Sequence, residues 1–144
     1  MPYYKNIKNL PFCDRKNILL IHIPKTGGTS IEEYLKTKYE ESLFSPSRLR
    51  LFKVPELDRI SPQHQTLLNI EEYKDTLSID FEKLCIITVV RNPYHRIVSD
   101  LFFWKLINQD TTQDQVFKTI INYLNRHYDN HNLPQYRFIC DKNN

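Results

Sequence analysis

Hydrophobic positions gather in a few places along the chain, and their spacing changes from one place to the next. Residues 17–23, Asn-Ile-Leu-Leu-Ile-His-Ile, are a short and almost unbroken apolar run. A run of that length without alternation predicts a strand buried on both faces, as in a parallel sheet. Pro24 ends it. From Thr29 the spacing becomes helical. Ile31, Tyr34, Leu35 and Tyr39 share one face, and Glu32, Glu33, Lys36 and Lys38 lie on the wet side. Residues 84–90, Leu-Cys-Ile-Ile-Thr-Val-Val, predict a second buried strand, rich in β-branched side chains. Asn92 and Pro93 then mark a helix start, with asparagine as cap and proline in the first helical position. This helix is expected to reach about Ile107. Ile97, Val98, Leu101, Phe102 and Trp104 make it apolar on much of its circumference, so it reads as well buried. A last helix is expected from about Thr111, where Thr111 and Asp114 could form a capping box. Val116, Phe117, Ile120, Ile121 and Leu124 are its stripe.

The middle of the chain is less regular. Pro46, Pro55 and Pro62 argue against helix over residues 43–62. Leu49, Leu51 and Val54 hint at a short strand, and residues 70–77 at a short helix. Strands alternating with helices predict an α/β class, a three-layer α/β/α arrangement around a small parallel sheet. Its crossovers should be right-handed. No repeat, low-complexity tract or linker divides the sequence, and 144 residues predict one domain over 1–144.

Composition narrows the partners. With 40% hydrophobic and 26% charged residues, the chain is not of the disordered kind. A formal net charge of +3 suits an anionic ligand. The concentrated basic stripe expected of a nucleic-acid binder is missing from the sequence. Cys13, Cys85 and Cys140 are far apart and form no C-x-x-C pair, which argues against a disulfide framework or a zinc ribbon and for a reducing compartment. No apolar run could span a bilayer, and residues 1–8 lack the apolar centre of a signal peptide. If complete, the chain is expected to be soluble and cytoplasmic.

The candidate chemistry sits where the first strand meets the first helix. The chain has two glycines, Gly27 and Gly28, within Pro24-Lys25-Thr26-Gly27-Gly28-Thr29-Ser30. A strand–glycine loop–helix unit aims free backbone N–H groups and the positive end of the helix dipole at one point. Lys25 adds a mobile charge, and Thr26, Thr29 and Ser30 add hydroxyls. The unit is built for a phosphate-like anion. It is not the nucleoside-triphosphate loop G-x-x-x-x-G-K-[ST], because here the lysine precedes the glycines.

The second strand ends in Arg91, followed by Asn92-Pro93-Tyr94-His95-Arg96-Ile97-Val98-Ser99. A nucleotide-hydrolysing fold wants an acidic residue after such a strand to hold magnesium. Arginine instead suits a second phosphate, without a metal. His95 and Arg96 lie one turn before Ser99 on nearby faces. Strand C-termini of a parallel sheet share one edge, so Lys25 and Arg91 should face one crevice. Two anion sites there imply a ligand with two separated anionic groups.

Residues 23–30 resemble the 5'-phosphosulfate loop of sulfotransferases that use 3'-phosphoadenosine-5'-phosphosulfate (PAPS). Residues 90–99 resemble their 3'-phosphate motif, in the variant of the carbohydrate O-sulfotransferases. The resemblance spans residues 17–139 and implies a P-loop-like nucleotide-binding fold. It implies that Lys25, Thr26, Gly27, Gly28, Thr29 and Ser30 hold the phosphosulfate, and that Arg91 and Ser99 hold the 3'-phosphate. The donor would be PAPS, with no metal, and the acceptor a hydroxyl on a glycan. His64, in Ser61-Pro62-Gln63-His64-Gln65-Thr66, stands where the carbohydrate enzymes carry a general base, and Lys25 would stabilise the leaving phosphate oxygen. The segment His131-Asn132-Leu133-Pro134-Gln135 resembles a stretch that borders the cleft in some relatives. The relatives continue with a further strand and helix and, in the secretory pathway, carry a membrane anchor, so this chain is expected to be a minimal or an incomplete version.

Other basic residues have plainer readings. His22, inside a buried strand, is expected to be a satisfied core residue. His127 and His131 are four apart, but no acidic partner completes a metal pattern. Arg48, Arg50, Lys53 and Arg59 read as a solvated basic face or a grip on an anionic glycan. Two rival functions share the loop. One is a kinase or NTPase, which predicts magnesium-dependent ATP binding; the other is a shortened domain that binds PAPS or its product without turnover.

Overall fold

The computed structural model describes residues 12–13, 16–39, 60–77, 79–126 and 128–140. Its centre is β2 (Ile18–Ile21), the strand expected from the first apolar run, with all four residues buried. β3 (Cys85–Thr88) lies beside it in parallel, pairing Ile18 with Cys85 and Ile21 with Thr88. The Thr88 hydroxyl donates to Ile21 O at 3.0 Å, which adds a side-chain bond to the ladder. On the other side β1 (Phe12–Cys13) runs antiparallel to β2, giving the order β1-β2-β3 among the described residues. The sheet is therefore mixed, not purely parallel. The class is α/β as expected, but a two-residue antiparallel strand carries too little periodicity to be read from sequence. β3 also differs from its expected burial: Cys85 and Ile86 are exposed among the described residues.

Alternate side chains of β2 feed two cores. Leu19, Ile21 and Ile23 pack with Phe12, Ile70, Ile79 and Phe138. Ile18 packs with Cys13 and Leu35 on the opposite face. Leu35 comes from α1 (Gly28–Tyr39), Ile70 from α2 (Leu67–Glu72) and Phe138 from α6 (Tyr136–Ile139), so helices cover both faces of β2. The expected short helix at 70–77 is two pieces, α2 and α3 (Lys74–Leu77), broken at Tyr73. Within α1 two assignments are reversed. Tyr34 is exposed, and Glu32 is buried because it has a partner inside.

α4 (Pro93–Phe103) starts where expected, with the Asn92 side chain accepting from the Tyr94 and His95 amides. It ends at Trp104 and buries only a stripe; Val98, Phe102 and Phe103 are exposed. α5 (Gln113–Leu124) is capped one residue later than expected, by a capping box of Thr112 and Gln115. Its inner face is Val116, Ile120 and Tyr123, which meet Leu101 and Ile107; Phe117, Ile121 and Leu124 face out. The hinted strand at Leu49, Leu51 and Val54 and the cluster Arg48, Arg50, Lys53 and Arg59 lie outside the described residues, as does His127. The three cysteines are free thiols, and no described helix is long and apolar enough to cross a membrane.

Candidate active site

The loop between β2 and α1 turns on two left-handed residues, Lys25 at φ 64° and Gly27 at φ 98°. Gly27 holds that conformation freely, while a lysine there costs on the order of 1 kcal/mol. The amides of Ser30 and Ile31 both donate to Gly27 O, which closes the first turn of α1. Thr26 is buried, and its hydroxyl donates to Ile23 O at 2.8 Å, so that hydroxyl braces the loop instead of facing solvent. Thr29 and Ser30 are exposed at the helix start. Gly28 has a different reason to be glycine. Its backbone is helical, but a Cβ there would lie 2.4 Å from Cδ2 of the His22 ring. His22 fills the space under the loop and pairs through Nδ1 with Glu32 Oε1 at 2.5 Å, both nearly fully buried. The expected satisfied core histidine is thus the pedestal of the glycine loop.

Arg91 follows β3 and reaches this loop: its Nη1 donates to Lys25 O at 3.2 Å. The two basic residues do meet at one sheet edge. The Arg91 backbone is gripped by the Gln135 side chain, whose Oε1 accepts from Arg91 N at 2.9 Å and whose Nε2 donates to Arg91 O at 2.8 Å. Ser99 is half-buried further along α4, and His95 is exposed. Arg96 is not a second anion ligand. It is buried, and its guanidinium donates to three carbonyls: Pro24 O at 2.9 Å, Leu133 O at 2.8 Å and His131 O at 2.5 Å. Burial lowers its proton affinity and the nearby Asp100 charge raises it, yet an arginine stays charged. It bolts the start of the loop to the segment 131–133.

His64 is neither exposed nor free. It ends a 3₁₀ turn, Pro62–His64, and is buried. Its Nδ1 lies 2.8 Å from Asp129 Oδ2 and 3.1 Å from Ser61 Oγ, while Ser61 also donates to Asp129 through Oγ at 2.7 Å and through its amide at 2.5 Å. Asp129 accepts, so Nδ1 carries the proton and Nε2 keeps a lone pair. Burial pushes the imidazole below the ordinary histidine value of 6.5, and the charges of His131 and His22 add to this; the Asp129 bond recovers only part of the shift. Burial alone would raise the Asp129 carboxyl, but bonds from His64 and Ser61 hold it below the usual range. A neutral histidine oriented by a carboxylate can accept a proton near neutral pH.

Rings connect this group to the loop. His64 meets His22 and His131 edge to face, with centroids 5.4 and 4.9 Å apart. His131 pairs through Nδ1 with Asp100 Oδ1 at 2.7 Å, and Asp100 also accepts from the Tyr123 hydroxyl. On its other side His131 stacks on Phe103, and the Lys25 ammonium stands over Phe103, 4.3 Å from the ring centre. Each of three buried histidines is thus steered by its own carboxylate, Glu32, Asp129 or Asp100. None of these carboxylates stands out in the sequence, since each lies far along the chain from its histidine or on a face that looks wet. Gln135 was visible only as part of a resemblance.

Ligand atoms of His64, Asp129 and His131 lie within 4.8 Å of one another. A tetrahedral zinc holds its nitrogen and oxygen ligands roughly 3.4 Å apart, whereas His64 Nδ1 and Asp129 Oδ2 stand at hydrogen-bond distance, 2.8 Å. Asp129 and His64 Nδ1 are moreover engaged by each other and by Ser61. The arrangement reads as a hydrogen-bonded dyad beside a second one.

A search of curated proteins and a search of solved structures returned no match. Residues 8–144 match the sulfotransferase family, nearly the whole length in which the glycine loop, Arg91 and the His64 dyad lie. The chain belongs to the sulfotransferase family, whose members transfer sulfuryl groups.

Proposed function

We propose that this chain transfers a sulfuryl group from PAPS to an acceptor hydroxyl, with a carbohydrate as the acceptor class favoured by the form of its motifs. The observation that carries the reading is the 3.2 Å bond from Arg91 to Lys25 O. It joins two basic residues, each following a parallel strand, into one edge that suits a ligand with two anionic groups. The loop acts as a P-loop-like cradle. Lys25, the exposed hydroxyls of Thr29 and Ser30, and the amides from Thr26 to Gly28 hold the 5'-phosphosulfate. Arg91 holds the 3'-phosphate, with Ser99 beside it.

Sulfuryl transfer needs positioning and charge stabilisation more than covalent help. His64 Nε2 takes the proton of the acceptor hydroxyl as its oxygen bonds to sulfur. The sulfur–oxygen bond to the phosphate breaks, and the electron pair stays on the phosphate oxygen, whose charge the Lys25 ammonium offsets. Asp129 stabilises the imidazolium that forms. Members of the ring chain keep Lys25 and His64 at a fixed spacing, one on the donor side and one on the acceptor side.

Thermal unfolding with 3'-phosphoadenosine-5'-phosphate, the desulfated product, tests the donor site. At a hundredfold its dissociation constant a ligand stabilises by about 2.7 kcal/mol. For this length that raises the midpoint by about 5–10 °C. The shift is expected with the bisphosphate and lost in Arg91→Ala. A shift only with magnesium and ATP would move the chain to the kinase reading. A bisphosphate shift without turnover on any glycan acceptor would favour the non-catalytic one.

A further inference from the structure

We propose that Gln135 is a positioning residue that sets the preference for a 3'-phosphorylated nucleotide, by holding the backbone of Arg91; this rests on the reading of Arg91 as the 3'-phosphate ligand. β3 ends at Thr88, so the sheet no longer holds the chain at Arg91, and Arg91 itself is exposed. Gln135 replaces the missing strand neighbour. Its amide accepts from Arg91 N and donates to Arg91 O, at 2.9 and 2.8 Å, so it mimics one rung of a sheet. Two bonds of opposite sense fix both the position and the rotation of that residue. From there the guanidinium reaches Lys25 O.

Gln135 can hold because it is itself held. Its own carbonyl accepts from the Phe138 amide, and Phe138 is fully buried against β2. The residues before it are tied by Arg96 to the start of the glycine loop. Asn130, one residue after Asp129, donates to His64 O at 3.0 Å. The segment 129–135 therefore touches His64, is tied through Arg96 to the start of the glycine loop, and reaches Arg91 through Gln135. The side-chain type is demanding. Glutamate can accept but not donate here, asparagine is one methylene short, and methionine has the length but neither bond.

The test compares 3'-phosphoadenosine-5'-phosphate with adenosine 5'-phosphate, which lacks only the 3'-phosphate, by calorimetric titration of the full chain. The unaltered chain is expected to favour the bisphosphate. In Gln135→Met that affinity is expected to fall about tenfold, the effect of losing roughly one to two neutral hydrogen bonds. Affinity for the monophosphate and the melting temperature should stay within about twofold and about 2 °C. Gln135→Asn is expected to behave alike. Full selectivity in both variants would overturn the inference. So would an equal loss for both nucleotides with a lower melting temperature, which marks a merely structural residue. No preference in the unaltered chain would instead overturn the reading of Arg91.

Discussion

Replacing Gly28 by alanine adds one methyl group at a place where the backbone is ordinary helix, so conformational strain predicts almost nothing. Helix propensity alone predicts a gain of about 1 kcal/mol. The structure predicts the opposite. The new Cβ would stand 2.4 Å from Cδ2, 2.6 Å from Nε2 and 2.7 Å from Cγ of His22. The ring cannot swing aside cheaply, because it is buried, bonded to Glu32 at 2.5 Å and edge-on to His64. Overpacking of this kind costs about 1–3 kcal/mol. For this length that lowers the melting temperature by about 2–12 °C. Gly27→Ala is the control: it meets no atom within 4 Å but sits at φ 98°, so its cost is backbone strain alone. A double-mutant cycle separates the causes. His22→Ala removes the obstacle, so Gly28→Ala should be at least about 1 kcal/mol less costly in that background. Urea unfolding of the four proteins supplies the numbers. Additivity within about 0.5 kcal/mol would refute the pedestal argument.

Three further outcomes follow from the same interior. Arg96→Met leaves the carbonyls of Pro24, His131 and Leu133 without their donor, each worth about 1–3 kcal/mol if left unpaired, and removing a desolvated cation returns part of that. A net loss of about 2–4 kcal/mol in urea unfolding is expected, and a change under about 0.5 kcal/mol would show that the bolt carries no load. His64 binds protons more weakly folded than its ordinary 6.5, so between the folded value and 6.5 the unfolded chain holds more protons. Its contribution is fully present above about pH 6.5 and is lost as pH falls. The urea midpoint should drop on acidification, less steeply in His64→Gln. Sulfuryl transfer should lose about 10²–10⁴-fold in His64→Ala, with an acid limb below pH 6.5 in the parent that moves lower still in Asp129→Asn.

Local chemistry explains which parts of this were legible. β2 could be read because its apolar run has no alternative burial, and α4 because Asn92 and Pro93 act within their own helix turn. The glycine loop stood out by its composition. What escaped was long-range and polar. Glu32 looked like a wet-side residue, since nothing within α1 reveals that His22 waits across the loop. Arg96 could be read only as a basic residue one turn before Ser99, because its three acceptors come from 35 to 72 positions away. Asp129 and Gln135 reach His64 and Arg91 across 65 and 44 positions. The burial of α4 and α5 was overread for a related reason: an apolar stripe says that a face can be covered, not which of its residues meets a partner.

The parallel pairing of β2 with β3 has a consequence for how such a chain can change over time. Ile21 and Thr88 are neighbours in the sheet although 67 positions separate them. Closing a loop of that size costs entropy that grows only with the logarithm of its length, about 0.6 kcal/mol for a doubling. Outside the glycine loop, α1, the His64 turn and the buried residues Ile70 and Ile79, the chain between the strands can therefore be lengthened or shortened at little entropic cost. The edge that joins Lys25 to Arg91 is fixed by strand register and does not follow such changes. New surface can be tried there by insertion while the edge that carries Lys25 and Arg91 stays as it is.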